Sequence, residues 1–229
     1  MSRDFDHVGW YDRVAERFGG YTQTWSSVVE GRSGEDAFVE LLHSRLEPHM
    51  HVLDAGCGSG EFTLEVSRHS ARVTGFDFAA KMIAAADENA ARSGTNKVRF
   101  EHADTRDLPF GAESFDLIYS RRGPTSILLH PELLRPGGWM IGVHSERRDV
   151  VEERLASSGL LEARVDEFEA REVFDSAFDF AAFWSRMPGH PDYLAPEHRP
   201  ALASLMEKYA DGDRLCVQHY RFVWQGRRG

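Results

Sequence analysis

The sequence is poor in cysteine and has no long apolar run, and both shortages narrow its possible roles. Cys57 and Cys216 are the only cysteines among 229 residues, and their separation fits neither a disulfide framework nor a metal site. A membrane span needs about 18 consecutive apolar residues, and the sequence contains no such stretch. The segment that starts at Met1 has no apolar leader, so we expect a cytoplasmic protein. From the missing apolar run and the cysteine spacing, we expect neither a membrane partner nor a metal.

Basic residues are not in excess either. The formal net charge is −10, which argues against nucleic-acid binding over the whole surface, although paired arginines such as Arg121-Arg122 leave a local contact open. The length and a hydrophobic content of 41% suit one α/β domain. We expect an N-terminal arm at 1–33 and a helical cap at 171–213. The sequence does not indicate the oligomeric state.

The chain is organised around a glycine-rich segment that starts at Val52. Val52 and Leu53 are typical of the end of a buried strand, Gly56, Gly58 and Gly60 of a turn, and the residues from Phe62 onward of a helix. A strand, a glycine turn and a helix N-terminus form a pocket of the nucleotide-binding kind, because free N–H groups point into it. The alternative is a tight turn that binds nothing.

Two acids narrow the class of ligand. A dinucleotide fingerprint requires a third glycine where this chain has Glu61. Asp54 lies two residues before Gly56, where its carboxylate would repel a pyrophosphate and suit a ligand with a positive end. A nicotinamide-dependent oxidoreductase is therefore disfavoured.

The run Asp54-x-Gly56-x-Gly58-x-Gly60 resembles motif I of the class I S-adenosylmethionine-dependent methyltransferases. Two further runs, 108–118 and 135–138, are similar to small members of that family, and the resemblance covers residues 35–145 well. It implies S-adenosylmethionine as cofactor. It also implies a Rossmann-like α/β sheet of seven strands with the last strand antiparallel.

Sequence periodicity and helix-breaking residues place the elements. We predict strands at 51–54, 72–77, 97–102, 115–120, 139–144 and 160–168, and an edge strand at 215–224. Predicted helices lie at 7–18, between Ser33 and Pro48, at 62–69, up to Gly94, before the turn 133–138, at 147–158 and at 196–209.

Further cofactor contacts follow from position in the chain. Asp77 comes 17 residues after Gly60, the spacing of the acid that binds ribose hydroxyls; helix capping is the alternative. By resemblance, Asp104 would accept a hydrogen bond from the adenine amino group, unless it is a solvent-facing turn residue. Met82 would touch the adenine or pack in the core. The expected cofactor-binding set is Asp54, Gly56, Cys57, Gly58, Gly60, Asp77, Phe78, Met82, Asp104, Thr105 and Ser120.

The acceptor side is less defined. Arg121 and Arg122 would hold an anionic substrate or form surface ion pairs. Tyr21 and Trp25 would close over the ligand, or anchor the arm to the core. His144, at the end of a strand, is the best-placed titratable base, with a structural hydrogen-bonded role as the alternative. The cap would be a substrate lid or plain core.

The leading hypothesis is methyl transfer to a small-molecule acceptor. In-line attack on a sulfonium methyl needs alignment more than a strong base. The run Asn/Asp-Pro-Pro-Tyr is missing after the strand at 115–120, which disfavours a methylase of adenine amines. The alternatives are an RNA or protein methyltransferase and a protein that binds the cofactor without catalysis.

Overall fold

A computed structural model describes residues 24–187 and 189–229 of the chain. The predicted helix at 7–18 and Tyr21 lie outside the described residues. The strands are β1 Val28–Glu30, β2 His51–Ala55, β3 Arg72–Asp77, β4 Val98–His102, β5 Phe115–Arg121, β6 Leu134–His144, β7 Leu161–Phe174, β8 Ala210–Asp211 and β9 Arg214–Arg227. The α-helices are α1 Gly34–Arg45, α2 Glu61–Val66, α3 Ala80–Ser93, α4 Arg148–Ser157, α5 Ala177–Trp184 and α6 Arg199–Tyr209.

All the strands form one sheet in the order β1-β7-β9-β6-β5-β2-β3-β4, with β8 paired to β9. Strands β4, β3, β2, β5 and β6 pair in parallel, and β9 runs antiparallel to both of its long neighbours. The predicted α/β sheet with an antiparallel last strand is therefore confirmed. The sheet has nine strands within the described residues instead of seven, because the short strands β1 and β8 add to it.

Strand β9 was expected at an edge and lies inside the sheet, between β7 and β6. Phe222 and Trp224 are fully buried on one of its faces, and Val223 is 4% exposed on the other. A strand covered on both faces is apolar at consecutive positions, as residues 222–224 are. Residues 217–221 are more polar and extend beyond the end of β6, where they pair only with β7.

Three boundaries differ from the prediction. The helix expected before residue 133 consists of two 3-10 turns, Thr125–Leu129 and Pro131–Leu133. Strand β6 starts at Leu134, and its pairing with β5 is interrupted between Leu134 and Trp139. Strand β7 continues to Phe174, so residues 171–174 of the expected cap belong to the sheet. Proline and glycine in these places shorten the helix and interrupt the ladder.

Helices α5 and α6 pack on the part of β7 and β9 that extends beyond β6. Phe174, Phe180, Phe183 and Val217 are buried in this second core, and the rings of Trp25 and Phe183 meet edge-on at 5.4 Å. Across residues 24–187 and 189–229, we find no helix long and apolar enough to span a membrane.

Gly142 and Trp224 define the packing at the centre of the sheet. A Cβ atom on Gly142 would lie 2.4 Å from the indole of Trp224, on the strand that pairs with β6. The absence of a side chain at position 142 therefore makes room for the largest fully buried side chain.

We expect Gly142→Ala to lower the free energy of unfolding by roughly 1–3 kcal/mol, because the new methyl group overpacks this site. Urea denaturation of the variant measures the effect. Gly111→Ala is the matched control, since its Cβ would come no closer than 3.8 Å to Ser114 Oγ. Equal stability of the two variants would contradict the packing role of Gly142.

Candidate cofactor site

A cleft of about 470 Å³ opens at the carboxyl ends of β2, β3 and β5, the edge where open α/β sheets bind ligands. Its lining contains most of the residues predicted from the sequence. They are Asp54, Gly56, Cys57, Gly58, Asp77, Phe78, Met82, Asp104, Thr105, Arg121 and Arg122.

The loops after β2 and β5 approach each other so closely that side chains do not fit between them. A Cβ on Gly56 would lie 2.8 Å from Gly123 Cα, and one on Gly123 would lie 2.0 Å from the carbonyl oxygen of Ala55. Gly56 also has a φ of +83°, which favours glycine. Gly58, with a φ of +53°, has no atom within 4 Å of its Cβ position, so the cleft is open beside it.

Asp54 is a buried carboxylate at the floor of the cleft. Its Oδ2 accepts hydrogen bonds from Thr63 Oγ1 and from Tyr119 Oη, both at 2.7 Å. Burial raises the pKa of Asp54 to about 6, although these two hydroxyl groups oppose the rise. The group is therefore ionised at neutral pH, and a ligand cation beside it would relieve the desolvation.

Asp77, at the end of β3, ties the glycine loop to the start of α3. Its Oδ2 accepts from Gly58 N at 3.0 Å, and its Oδ1 accepts from Ala79 N at 2.9 Å. Burial raises the pKa of the Asp77 carboxyl above its ordinary value, against the effect of the backbone N–H donors. Each carboxylate oxygen has a second lone pair, so a turn-forming role and hydroxyl binding are compatible.

The carboxylate of Asp104 is paired with the neighbouring Arg106. Its two carboxylate oxygens each accept at 2.9 Å from the guanidinium of Arg106, an exposed side chain, and this lowers the pKa of Asp104. Thr105 contacts Ser126 through their hydroxyl oxygens, 2.6 Å apart. Burial raises the pKa of the Cys57 thiol well above its usual value, so the thiol is neutral.

Two members of the expected set do not line the cleft. Gly60 has a φ of +81°, and a Cβ there would lie 2.6 Å from the ring of Phe100, so it allows helix α2 to pack on β4. Ser120 is fully buried, and its hydroxyl donates to the Pro124 carbonyl at 3.5 Å. Both residues therefore contribute to the packing of the loops and not to the lining of the cleft.

Sequence reasoning did not select several residues that do line the cleft. They are Ser59, Glu61, Phe62, Phe76, Ala103, Gly123 and Pro124. The dipeptide Gly123-Pro124 follows the predicted strand at 115–120. In the sequence, this dipeptide was the signal for a loop at the ligand-binding edge of the sheet.

The comparisons with known proteins match the same part of the chain. A family model described as a methyltransferase domain matches residues 52–138. Over 131 residues the chain is 35% identical to a trans-aconitate 2-methyltransferase of Deinococcus radiodurans, covering 53% of this chain and 46% of that protein. It is 38% identical over 93 residues to a 23S rRNA uracil C5-methyltransferase of Aeromonas hydrophila, covering 41% of this chain and 20% of that enzyme.

The chain thus matches a methyltransferase domain over residues 52–138, the part that contains the run resembling motif I of the class I S-adenosylmethionine-dependent methyltransferases. It spans about half of the first of these two relatives and a fifth of the second. A crystal structure of a functionally unknown protein from Deinococcus radiodurans R1 superposes with a TM-score of 0.71 at 27% identity, covering 96% of this chain and 99% of that one.

His144 does not line the cleft, which corrects its choice as the base. Trp224 Nε1 donates to His144 Nδ1 at 3.0 Å, and His144 Nε2 donates to the Gly123 carbonyl at 2.9 Å. Both ring nitrogens are thus used. Burial lowers the pKa of His144 to about 4, so the ring is neutral at physiological pH. Its place in the fold is to hold the loop after β5.

The other residues predicted for the acceptor side are divided. Arg121 and Arg122 line the cleft, and both pair with Glu35, at 2.9 and 3.2 Å. Trp25 lies away from it, where its Nε1 donates to Glu172 Oε1 at 3.0 Å. Its contacts are those of a segment packed on β7 and α5, as the anchoring alternative expects.

We expect Asp54→Asn to stabilise the ligand-free protein at pH 7. The folded-state pKa of about 6 lies above the ordinary aspartate pKa of 3.8, so ionisation of Asp54 costs about 3 kcal/mol of folding free energy. The neutral form of Asp54 avoids this cost. Its stabilising effect is therefore complete below the unfolded-state pKa and is lost as pH rises through about 6. The variant should therefore be up to about 3 kcal/mol more stable at pH 7, with the difference shrinking toward about pH 4.

Urea denaturation from pH 4 to 7 measures this difference. Asp87→Asn, on the exposed face of α3, is the control for a surface carboxylate. An Asp54→Asn variant less stable than the natural protein at pH 7 would show that the hydroxyl bonds outweigh desolvation.

We expect His144 to remain neutral down to about pH 4, with the proton on Nε2. Nitrogen-15 NMR of the imidazoles reports both the tautomer and the titration midpoint, and the missing signal in His144→Gln assigns the resonance. A midpoint near 6.5, or a proton on Nδ1, would be inconsistent with the Trp224 and Gly123 contacts.

Proposed function

We propose that the chain binds S-adenosylmethionine in this cleft and transfers its methyl group to a small molecule. The proposal depends on one observation. The buried, ionised Asp54 and the open glycine loop lie in the same cleft. A carboxylate with a raised pKa favours a cationic ligand, and this cofactor carries an ammonium and a sulfonium.

Each part of the cleft suits one part of the cofactor. Asp54 would pair with the ammonium, and Asp77 would accept from the ribose hydroxyls with the lone pairs left by Gly58 and Ala79. Phe78 would supply apolar surface for the adenine, whereas Met82 is 1% exposed and packs mainly in the core. Asp104 would reach the adenine amino group in competition with Arg106. This fit rests on the donors and surfaces that line the cleft.

The cofactor supplies a methyl group on a positively charged sulfur, which is a good leaving group. The chain contributes orientation and exclusion of water, which are worth about 7–11 kcal/mol when the reacting atoms are aligned. No imidazole lines the cleft within the described residues, and the Cys57 thiol is neutral. An acceptor that is already nucleophilic at neutral pH is therefore favoured.

A small acceptor is supported by charge and by the relatives. The chain carries a net charge of −10, and the two arginines of the cleft pair with Glu35 instead of forming a broad basic stripe. The relative from Deinococcus radiodurans is named for a small tricarboxylic acid. The rRNA enzyme is matched over only 20% of its length, so most of that enzyme has no counterpart in the alignment.

Calorimetry should show binding of S-adenosylmethionine and S-adenosylhomocysteine and none of NAD. Turnover with a panel of small molecules, followed as S-adenosylhomocysteine by mass spectrometry, tests transfer. Cofactor binding without turnover on any small acceptor, together with steeply salt-dependent binding of RNA, would instead favour a nucleic-acid substrate.

Asp77→Asn should weaken S-adenosylhomocysteine binding by about 1.5–3 kcal/mol, the range for hydrogen bonds to a charged group. Since Asp77 also holds the glycine loop, a double-mutant cycle with the 2′-deoxyribose analogue separates the two effects. The analogue should bind more weakly than S-adenosylhomocysteine to the natural protein and equally well to the variant. Additive losses would show that Asp77 acts only through the loop.

A further inference from the structure

Two hydroxyl groups share one oxygen of the buried carboxylate at the floor of the cleft. Thr63 Oγ1 and Tyr119 Oη both donate to Asp54 Oδ2 at 2.7 Å. Thr63 and Tyr119 are fully buried, and Asp54 is 3% exposed. The other oxygen, Oδ1, accepts no hydrogen bond from the described residues, and Asp54 lines the cleft. Oδ1 is therefore the oxygen left for a ligand.

The fold fixes the position of both hydroxyl groups. Tyr119 is the partner of Asp54 in the parallel ladder of β2 and β5. The rings of Phe38 and Phe62 meet the ring of Tyr119 edge-on, with centroids 6.3 and 5.7 Å away. Thr63 lies in the first turn of α2, directly after the glycine loop. Donors held in this way keep a carboxylate in one orientation before a ligand arrives.

Both hydroxyl groups favour the ionised form of Asp54. Burial and the charge of Asp54 raise the pKa of the Tyr119 phenol well above its usual value, so the phenol stays protonated and donates. Hydrogen bonds to an ionised acceptor are about twice as strong as those between neutral groups. Protonation of Asp54 would weaken both of these bonds, so they oppose it.

Other charges act on Asp54 less strongly than the hydroxyl groups. Burial has the largest effect on the pKa of Asp54 and raises it, and the two hydroxyl groups have the next largest effects and lower it. Arg121 at the end of β5 lowers this pKa further, and Asp77 at the end of β3 raises it. The thiol of Cys57, in the glycine loop, is neutral. The hydroxyl groups are therefore the main opposition to the effect of burial.

We propose that Thr63 and Tyr119 are positioning residues that keep Asp54 ionised at neutral pH and leave its Oδ1 for the ammonium of the cofactor. The inference rests on the proposed function. It makes cofactor affinity depend on pH through one buried carboxylate, and it assigns control of that dependence to two side chains that do not line the cleft.

The direction of the pH effect follows from the ionised form being the one that binds a cation. In the natural protein, affinity should fall as pH falls through about 6, the pKa of Asp54. A hydrogen bond to a charged group changes an ionisation equilibrium by a factor of about ten or more. Without the Tyr119 hydroxyl, the fall in affinity should therefore begin at a higher pH and be centred at about 7 or above.

Calorimetry of S-adenosylhomocysteine binding to the full chain, from pH 5.5 to 8.5, tests this shift. Each variant is compared with the natural protein at the same pH, so that titration of the ligand itself cancels. We expect Tyr119→Phe to bind about two- to tenfold more weakly at pH 7 and within about twofold of the natural protein at pH 8.5. Thr63→Val should behave in the same way and serves as a second variant of similar shape.

Tyr220→Phe is the matched control, because its hydroxyl also donates to a carboxylate, Glu167 Oε2 at 2.8 Å, and Tyr220 does not line the cleft. Its affinity should equal that of the natural protein at every pH. Carbon-13 NMR of the Asp54 carboxyl in the ligand-free protein, assigned with Asp54→Asn, gives the ionisation directly. The midpoint should lie near 6 in the natural protein and at about 7 or higher in Tyr119→Phe.

Three results would overturn the inference: an affinity loss in Tyr119→Phe and Thr63→Val that is the same at every pH, no loss in either variant, or an Asp54 midpoint near 4 in the natural protein. The first would assign the hydroxyl groups to packing alone. Failure of the natural protein to bind S-adenosylhomocysteine at any pH would refute the proposed function and this inference together. Normal binding with an unchanged Asp54 midpoint in both variants would refute the inference alone.

Discussion

The close approach of the loops after β2 and β5 is the constraint on which the cleft depends. Gly56 and Gly123 meet with almost no space between their backbones, so the cleft floor has a fixed shape before any ligand arrives. The hydrogen bonds from Trp224 to His144 and from His144 to Gly123 hold this contact from the far side of the sheet. Trp224 of the antiparallel strand β9 is therefore linked to the loop after β5 by the imidazole of His144.

A second consequence of this arrangement is a buried charge. Asp54 lies on β2, where one of its oxygens accepts hydrogen bonds from hydroxyl groups of α2 and β5, and burial still raises its pKa to about 6. The protein therefore has a carboxylate that destabilises the ligand-free fold at neutral pH. Such a group is typical of a site built for a cation, because the ligand removes the desolvation cost on binding.

The residues that pair with Glu35 beside the cleft come from parts of the chain that are far apart in sequence. Glu35 comes from the first described helix, Arg121 and Arg122 from the end of β5, and Arg221 from the last strand. These residues meet because β9 lies between β7 and β6, and because the first half of β9 extends beyond the end of β6.

The glycine loop, the parallel strands around it and the acids Asp54 and Asp77 could be predicted from the residue pattern. These features depend on local backbone conformation and on spacing along one strand–turn–helix unit, and a short-range pattern contains that information. The folded chain was needed to see that β9 lies inside the sheet, that both ring nitrogens of His144 are hydrogen-bonded and that Glu35 pairs with three arginines. Contacts such as Trp224–His144 and Arg221–Glu35 join residues 80 or more positions apart, and the position of an isolated His, Glu or Arg in the sequence does not indicate its partner.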